Sequence, residues 1–290
     1  MSLLAPASAV ANYHCKVGEN PLWDEREGRL YWVDIDSARL FRVDHESGAH
    51  ECFYRDARAG AMIGGFSFQE DGSLLLFEAN CIAVLSKNGA RRVLAEDIDD
   101  GMVRFNDVIA DPEGRVFAGT IGKTEHSGGL FRVDLDGTVT PVWRGTGCAN
   151  GMGFTPDLQR FYWTCSTTQL IYVADYDRAT GALSNRREFY RAPESEGIPD
   201  GMTVDRAGAV WTARWGGSAL LRLSAEARLV ERVPLPVSAV SSAAFGGPNL
   251  DVLYVTTAGG HVDDDAIDGT LYRMPVSVPG TVEFRSRIRL

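Results

Sequence analysis

Arg104-Phe105-Asn106-Asp107-Val108-Ile109-Ala110, then Asp111-Pro112-Glu113-Gly114-Arg115, then Val116-Phe117-Ala118-Gly119 is the stretch whose reading decides the fold. Polar, ligand-capable side chains come first, and a short apolar run follows. A turn marked by Pro and Gly reverses the chain, and a second apolar run returns. Short runs of β-branched and aromatic residues bounded by Asp, Pro and Gly suit antiparallel strands joined by tight turns. The next run, Gly129-Leu130-Phe131-Arg132-Val133-Asp134, is followed by another turn at Asp136-Gly137.

The arrangement recurs on both sides. Upstream, Leu30–Asp34 leads to Arg39–Asp44, and Gly72–Phe77 leads to Ile82–Leu85. Downstream, Arg160–Thr164 leads to Leu170–Asp175, Gly208–Ala213 to Ala219–Leu223, and Asp251–Thr256 to Gly269–Met274. With Leu30, Leu74, Val116, Phe161, Val210 and Leu253 as equivalent points, the six copies are spaced by about 42 to 49 residues, the period of a four-stranded propeller blade. One such sheet cannot bury both faces, whereas sheets packed radially can. The expected fold is all-β: a six-bladed β-propeller with four-stranded blades around a central channel, a single domain over residues 1–290. A β-sandwich has no need of so regular a period. A solenoid would need polar capping repeats, which neither terminal copy provides. The N-terminal segment and Thr281-Val282-Glu283-Phe284-Arg285 are left over, and are expected to pair within one blade and close the ring.

The 290 residues are 44% hydrophobic, enough for a large core, and 39 acidic against 29 basic residues give a net charge of −10. A surface this acidic repels nucleic acid and anionic lipid, and favours cations and neutral small molecules. No apolar run approaches the roughly 18 residues of a membrane span. Five scattered cysteines with no C-x-x-C argue against a disulfide framework or a structural zinc site, and for a reducing, cytoplasmic compartment. The expected state is a monomer or small homo-oligomer.

In a propeller the innermost strand of every blade lines the channel and starts at the same mouth. Counting back about ten or eleven residues from each equivalent point gives Glu19, Gly64, Asn106, Asn150, Asp200 and Ser242. These residues, far apart in sequence, are expected to face one another. Carboxylates and neutral oxygen donors open to water suit a hard or borderline divalent cation. Taken singly, Asn150-Gly151 and Asp200-Gly201 read as turn dipeptides, and Glu19-Asn20-Pro21 as a solvated loop. Their coincidence at one repeat position is what points to a site. None of the five histidines occupies that position, and no G-x-S-x-G or H-E-x-x-H motif occurs. His126 reads as a surface-loop residue. Trp215-Gly216-Gly217 reads as structural packing, with a wall of the pocket as the second reading.

The residues that carry a family resemblance are Gly18-Glu19-Asn20-Pro21-Leu22-Trp23, Arg104-Phe105-Asn106-Asp107, Phe117-Ala118-Gly119-Thr120, Asn150-Gly151, Ser184-Asn185-Arg186-Arg187, Pro199-Asp200-Gly201-Met202 and Phe245-Gly246-Gly247. In order and spacing they resemble the gluconolactonase family that includes senescence marker protein 30 (regucalcin). The resemblance implies a six-bladed propeller with one divalent metal ion at the channel mouth (Ca²⁺, Zn²⁺, Mn²⁺, Mg²⁺ or Fe²⁺) and hydrolysis of a small sugar lactone such as gluconolactone. It implies Glu19, Asn150 and Asp200 as metal ligands, Asn106 beside the metal, and Arg104 as a substrate-binding arginine. Asp200, as a ligand with a spare oxygen, is then the expected general base. Three departures stand out. Asn20 occupies a place that is usually Gly, Thr124 one that is Glu in some relatives, and the Gly259–Asp265 run is short, acidic and read as a solvated loop. An arylesterase or organophosphatase would use the same site. A non-catalytic calcium-binding regulatory protein would use the same polar ring, although Arg104 at the mouth favours a substrate.

Overall fold

The computed structural model describes residues 6–259 and 268–289. Asp111–Arg115 is a tight hairpin. The Asp111 amide donates to the Arg115 carbonyl (2.8 Å), the Gly114 amide donates to the Asp111 carbonyl (2.9 Å), and Gly114 takes φ +87°, which a side chain disfavours. The Asp111 carboxylate accepts the amides of Glu113 and Arg115 and the Arg115 guanidinium. Asp205 repeats the device two blades later with the amides of Ala207 and Ala209 and the guanidinium of Arg222.

These hairpins join the first two strands of six antiparallel four-stranded sheets, arranged as a six-bladed β-propeller. The innermost strands are Gly18–Asp24, Gly65–Phe68, Met102–Ala110, Ala149–Phe154, Ile198–Val204 and Val240–Gly246. They are buried almost throughout, because each is covered by its own second strand and by the neighbouring blades. Outer strands such as Ala182–Arg191 are largely exposed. Trp32, Phe117, Phe161, Tyr162, Trp211 and Tyr254, all on second strands, are buried between blades. Burying a large apolar side chain contributes about 1.5–3 kcal/mol, so these residues help tie neighbouring blades together.

Ring closure divides the expectation about the termini. Ser8–Asn12 pairs antiparallel with Thr270–Pro275 as the outermost strand of the sixth blade, as expected of the N-terminal segment. Thr281–Arg285 does not join a blade, because that fourth position is already filled. Instead the tail crosses the far end of the channel. Gly280 bridges Asp205 of the fifth blade, and the Ser286 amide donates to the Phe68 carbonyl of the second (2.8 Å). The Gln69 side chain donates to the Ile288 carbonyl (2.8 Å), and the Arg287 amide reaches the Gly114 carbonyl of the third blade (2.8 Å). Arg285 is held on Asp24 at 2.6 Å. The acidic run from Gly260 to Asp265 lies outside the described residues. All five cysteines are free. Among the described residues no helix is long and apolar enough to cross a membrane.

Candidate functional site

The repeat position sits on irregular backbone. The innermost strands of five blades shift register beside Glu19, Asn106, Asn150, Asp200 and Ser242. A bulge there turns the side chain out of the regular alternation, a device common next to functional sites. Asn150-Gly151 and Asp200-Gly201 therefore belong to bulged strands and are not turns. Their glycines serve close approach. A Cβ on Gly151 would lie 2.5 Å from the Met202 amide nitrogen, and one on Gly201 would lie 2.2 Å from the Ser242 hydroxyl. The second copy has Gly64 because a Cβ there would meet the Phe105 carbonyl oxygen at 1.9 Å. Asn20 supplies the left-handed backbone, at φ +45°, that glycine often provides, and its side-chain oxygen accepts the Phe66 amide at 2.6 Å.

Glu19, Arg104, Asn106, Asn150 and Asp200 converge on one cleft of about 380 Å³ at the mouth. Val17, Ile121, Ile198 and Trp215 complete its apolar wall, and Cys148, Ser166 and Thr167 its remaining lining. Gly64 and Ser242 are not part of that lining. His126 and Thr124 are exposed on the loop after the third blade's second strand and lie outside it. Glu19, Asn106, Asn150 and Asp200 are each buried to within about 6%.

The hydrogen bonds fix orientation. Arg104 Nη1 donates to the Phe105 carbonyl (2.9 Å) and to Asn106 Oδ1 (2.6 Å), while Asn106 Nδ2 donates to the Ala149 carbonyl (2.9 Å). Asn150 Nδ2 donates to Ser166 Oγ (3.2 Å), whose hydroxyl donates onward to the Pro199 carbonyl (2.7 Å). That leaves Asn150 Oδ1 buried with no hydrogen-bond partner. An orphaned buried acceptor costs about 1–3 kcal/mol. The Asn20 amide donates to Glu19 Oε2 at 2.8 Å.

The electrostatics leave the same gap. Burial, reinforced by Asp200 and Asp107, pushes the Glu19 carboxyl well above its usual range. Burial and then Asp107 do the same to Asp200. Burial lowers the Arg104 guanidinium, with Cys148, Asp36, Glu19 and Asp200 opposing. The Cys148 thiol is pushed up to about 12, first by burial and then by Asp200, so it stays protonated at neutral pH. Two buried carboxyls, only partly offset by Arg104, and an unsatisfied amide oxygen on the same cleft form a donor set that fits a hard or borderline divalent cation. The set holds only two carboxylates, and among the described residues no cluster of three or more His, Cys, Asp or Glu is placed to hold a metal.

Counting one place per repeat missed Ile121 and Ser166, and Trp215 was reached only as the second reading of Trp215-Gly216-Gly217. All three stand at the ends of second strands, where the chain returns to the same mouth. A second equivalent place, read through the copies, carries their signal.

Residues 17–259 match the family model described as "SMP-30/Gluconolactonase/LRE-like region". Pentonolactonase XacC of Haloferax volcanii is 47% identical, covering 97% of this chain and 98% of its own. Regucalcin of Xenopus laevis is 33% identical over 86% of each chain. A solved structure from Agrobacterium tumefaciens, titled a calcium-binding protein, regucalcin, superposes with a TM-score of 0.89 at 25% identity, covering 99% of this chain and 98% of that one. By its family match and by the identity of these relatives over most of its length, the chain belongs to the SMP-30/gluconolactonase/LRE-like family.

Proposed function

We propose that this chain is a divalent-metal-dependent sugar lactonase that opens an aldono-lactone to the free acid. The observation that carries the reading is the unpartnered, buried Asn150 Oδ1 on one cleft with the raised carboxyls of Glu19 and Asp200 and with Arg104. Glu19, Asn150 and Asp200 would hold one ion. Bound there, a divalent ion supplies Lewis-acid activation of a lactone carbonyl and lets both carboxylates ionise.

The chain's own groups do the rest. Asp200 takes the proton from the water whose oxygen bonds to the carbonyl carbon. As the bond from that carbon to the ring oxygen breaks, the same proton passes to the departing oxygen, which becomes a hydroxyl. Arg104 is already anchored through the Phe105 carbonyl and Asn106. Its remaining donors bind substrate hydroxyls and the negative oxygen that develops at the carbonyl, and preorganised donors of this kind act without reorganisation cost. Asn106 fixes the approach of Arg104 and keeps one N–H for water or substrate. The name of the relative at 47% identity, pentonolactonase, supports a lactone as substrate, and the calcium-binding title of the superposed regucalcin supports a divalent ion.

The test is chelation followed by restoration with single divalent ions, with proton release from aldono-lactones as the assay. Loss and ion-specific recovery of hydrolysis are expected. Full activity after exhaustive chelation would refute metal dependence.

A further inference from the structure

Arg214 stands on the second strand of the fifth blade, Val210–Trp215, and is fully buried. Among the described residues none of its three guanidinium nitrogens has a hydrogen-bond partner. Its counter-charge is Glu196, whose Oε2 lies 3.6 Å away, within ion-pair reach and beyond a hydrogen bond. The Tyr190 ring lies against the guanidinium at 5.6 Å, and the Tyr190 hydroxyl donates to Glu196 (2.8 Å to Oε1, 2.9 Å to Oε2). Burial lowers the guanidinium to about 10, with Glu196 and Tyr190 opposing, so it is charged at neutral pH. A buried charge met this loosely adds little stability, and an apolar side chain of similar volume would serve the core as well. What Arg214 does hold is the segment that carries Glu196.

That segment leads into the site. Glu194–Glu196 forms a single 3₁₀ turn, Gly197 (φ +82°) redirects the chain, and Ile198, Pro199 and Asp200 follow. Gly217 makes room for the turn, since a Cβ there would collide with the Glu196 carbonyl oxygen. Ile198 and Pro199 pair with Trp215 and Arg214, and the next paired residue is Met202, so the ladder skips Asp200 and Gly201. The position of Asp200 therefore depends on how firmly the chain is held on either side of this bulge. After it, Met202, Thr203 and Val204 pair regularly. Before it the hold is thinner: Pro199 has no amide to donate, and Ile198 is 41% exposed. Glu196, drawn to Arg214 and bonded by Tyr190, anchors that weaker end. The Pro199 carbonyl extends the effect to a second residue. It accepts the Ser166 hydroxyl (2.7 Å), whose oxygen receives Asn150 Nδ2 (3.2 Å). Asn150 and Asp200, both proposed ion ligands, thus rest on the entry of one strand.

We infer that Arg214 is a positioning residue: paired with Glu196 and stacked on Tyr190, it fixes the entry of the Ile198–Val204 strand so that Asp200 and Asn150 present their oxygens to one ion. This rests on the metal-dependent lactonase reading of the same cleft. Arg214 does not line the cleft and acts only through Glu196 and the strand. Because its nitrogens make no hydrogen bonds, its charge and its place against Tyr190 are what count, and a lysine supplies both.

The experiment compares the wild type with the double variant Arg214→Met/Glu196→Gln, which removes both charges at similar volume, and with Arg214→Lys. Mn²⁺ affinity of the chelator-treated proteins is measured by equilibrium dialysis, kcat and KM for an aldono-lactone at saturating Mn²⁺, and Tm without metal. The double variant is expected to bind Mn²⁺ about tenfold more weakly, as when other residues that orient metal ligands are removed. Its kcat falls about tenfold through a misplaced Asp200, KM stays within about twofold, and its metal-free Tm equals or exceeds that of the wild type. Arg214→Lys recovers both the Mn²⁺ affinity and kcat. A double variant with wild-type Mn²⁺ affinity and kcat would overturn the positioning role while leaving the lactonase reading intact. So would losses that come only with a fall in metal-free Tm, or an Arg214→Lys variant as impaired as the double one. A wild type that neither binds Mn²⁺ nor opens any lactone would overturn the reading of the site itself, and the positioning role with it.

Discussion

Replacing Glu283 by Gln should raise stability at alkaline pH and leave it nearly unchanged in acid. Glu283 comes from the tail that crosses the far end of the channel and lines a small space there with Asp107, Asn20 and Ser67. Burial, and then Asp107, raises its carboxyl from an ordinary value near 4.5 to about 7. Asp107 is itself raised to about 7 by burial, with the Val108 amide opposing. Below about pH 4.5 Glu283 is protonated in both folded and unfolded chains, so it adds no pH dependence. Between about 4.5 and 7 the unfolded chain ionises it while the folded chain keeps the proton, and stability falls as pH rises. Above about 7 the full cost is present. The shift corresponds to a ceiling of about 3.4 kcal/mol, and the partial exposure of the residue brings the expected range to about 1–3 kcal/mol. An unfolding entropy of about 2.1 cal/mol/K per residue gives about 0.6 kcal/mol/K for this length. The Tm of Glu283→Gln should therefore exceed that of the wild type by about 2–5 °C at pH 8 and by about nothing at pH 4.5. Scanning calorimetry of both proteins over that pH series makes the measurement. A difference that does not change with pH, or a variant less stable at pH 8 than at pH 4.5 relative to wild type, would refute the buried placement of the carboxyl.

Two further perturbations follow from the same geometry. Gly64→Ala puts a methyl where the Phe105 carbonyl stands, 1.9 Å from an ideal Cβ, and should cost about 1–3 kcal/mol of stability by overpacking, read as a lower denaturant midpoint with an unchanged slope. Arg104→Lys keeps the charge but loses the guanidinium whose Nη1 is anchored on the Phe105 carbonyl and Asn106 while its other donors stay free for substrate, and should lower kcat/KM for a lactone by about tenfold or more with little change in Tm.

The fold was legible because its signal is repetitive. Turns such as Asp111–Arg115 occur with a blade-sized period, and each pairs the strands that its sequence suggests. The tail was not legible for the opposite reason. Thr281-Val282-Glu283-Phe284 has the composition of a strand, but the backbone contacts that hold the tail are made on either side of it, by Gly280, Ser286 and Arg287 with the ends of blades five, two and three, which no local pattern encodes. At the site, the repeat position brought Glu19, Asn106, Asn150 and Asp200 to one cleft as expected. Their local context was misread as turn or loop chemistry, because Asn-Gly and Asp-Gly look alike whether glycine supplies a left-handed backbone or room for a neighbouring strand. Trp215 was read first as packing and second as pocket wall. It is both, since its ring contacts the first-blade cluster and also lines the cleft.

The central claim is that Glu19, Asn150 and Asp200 together hold the ion on which lactone opening depends. Elemental analysis of wild type, Glu19→Gln and Asp200→Asn after equilibration with one divalent ion and removal of the excess, with lactone turnover measured on the same samples, tests it most directly. The account predicts about one equivalent of metal in the wild type, a small fraction of that in either variant, and activity that falls with the metal. Variants that retain a full equivalent, or that lose the metal and still open the lactone at the wild-type rate, would contradict it.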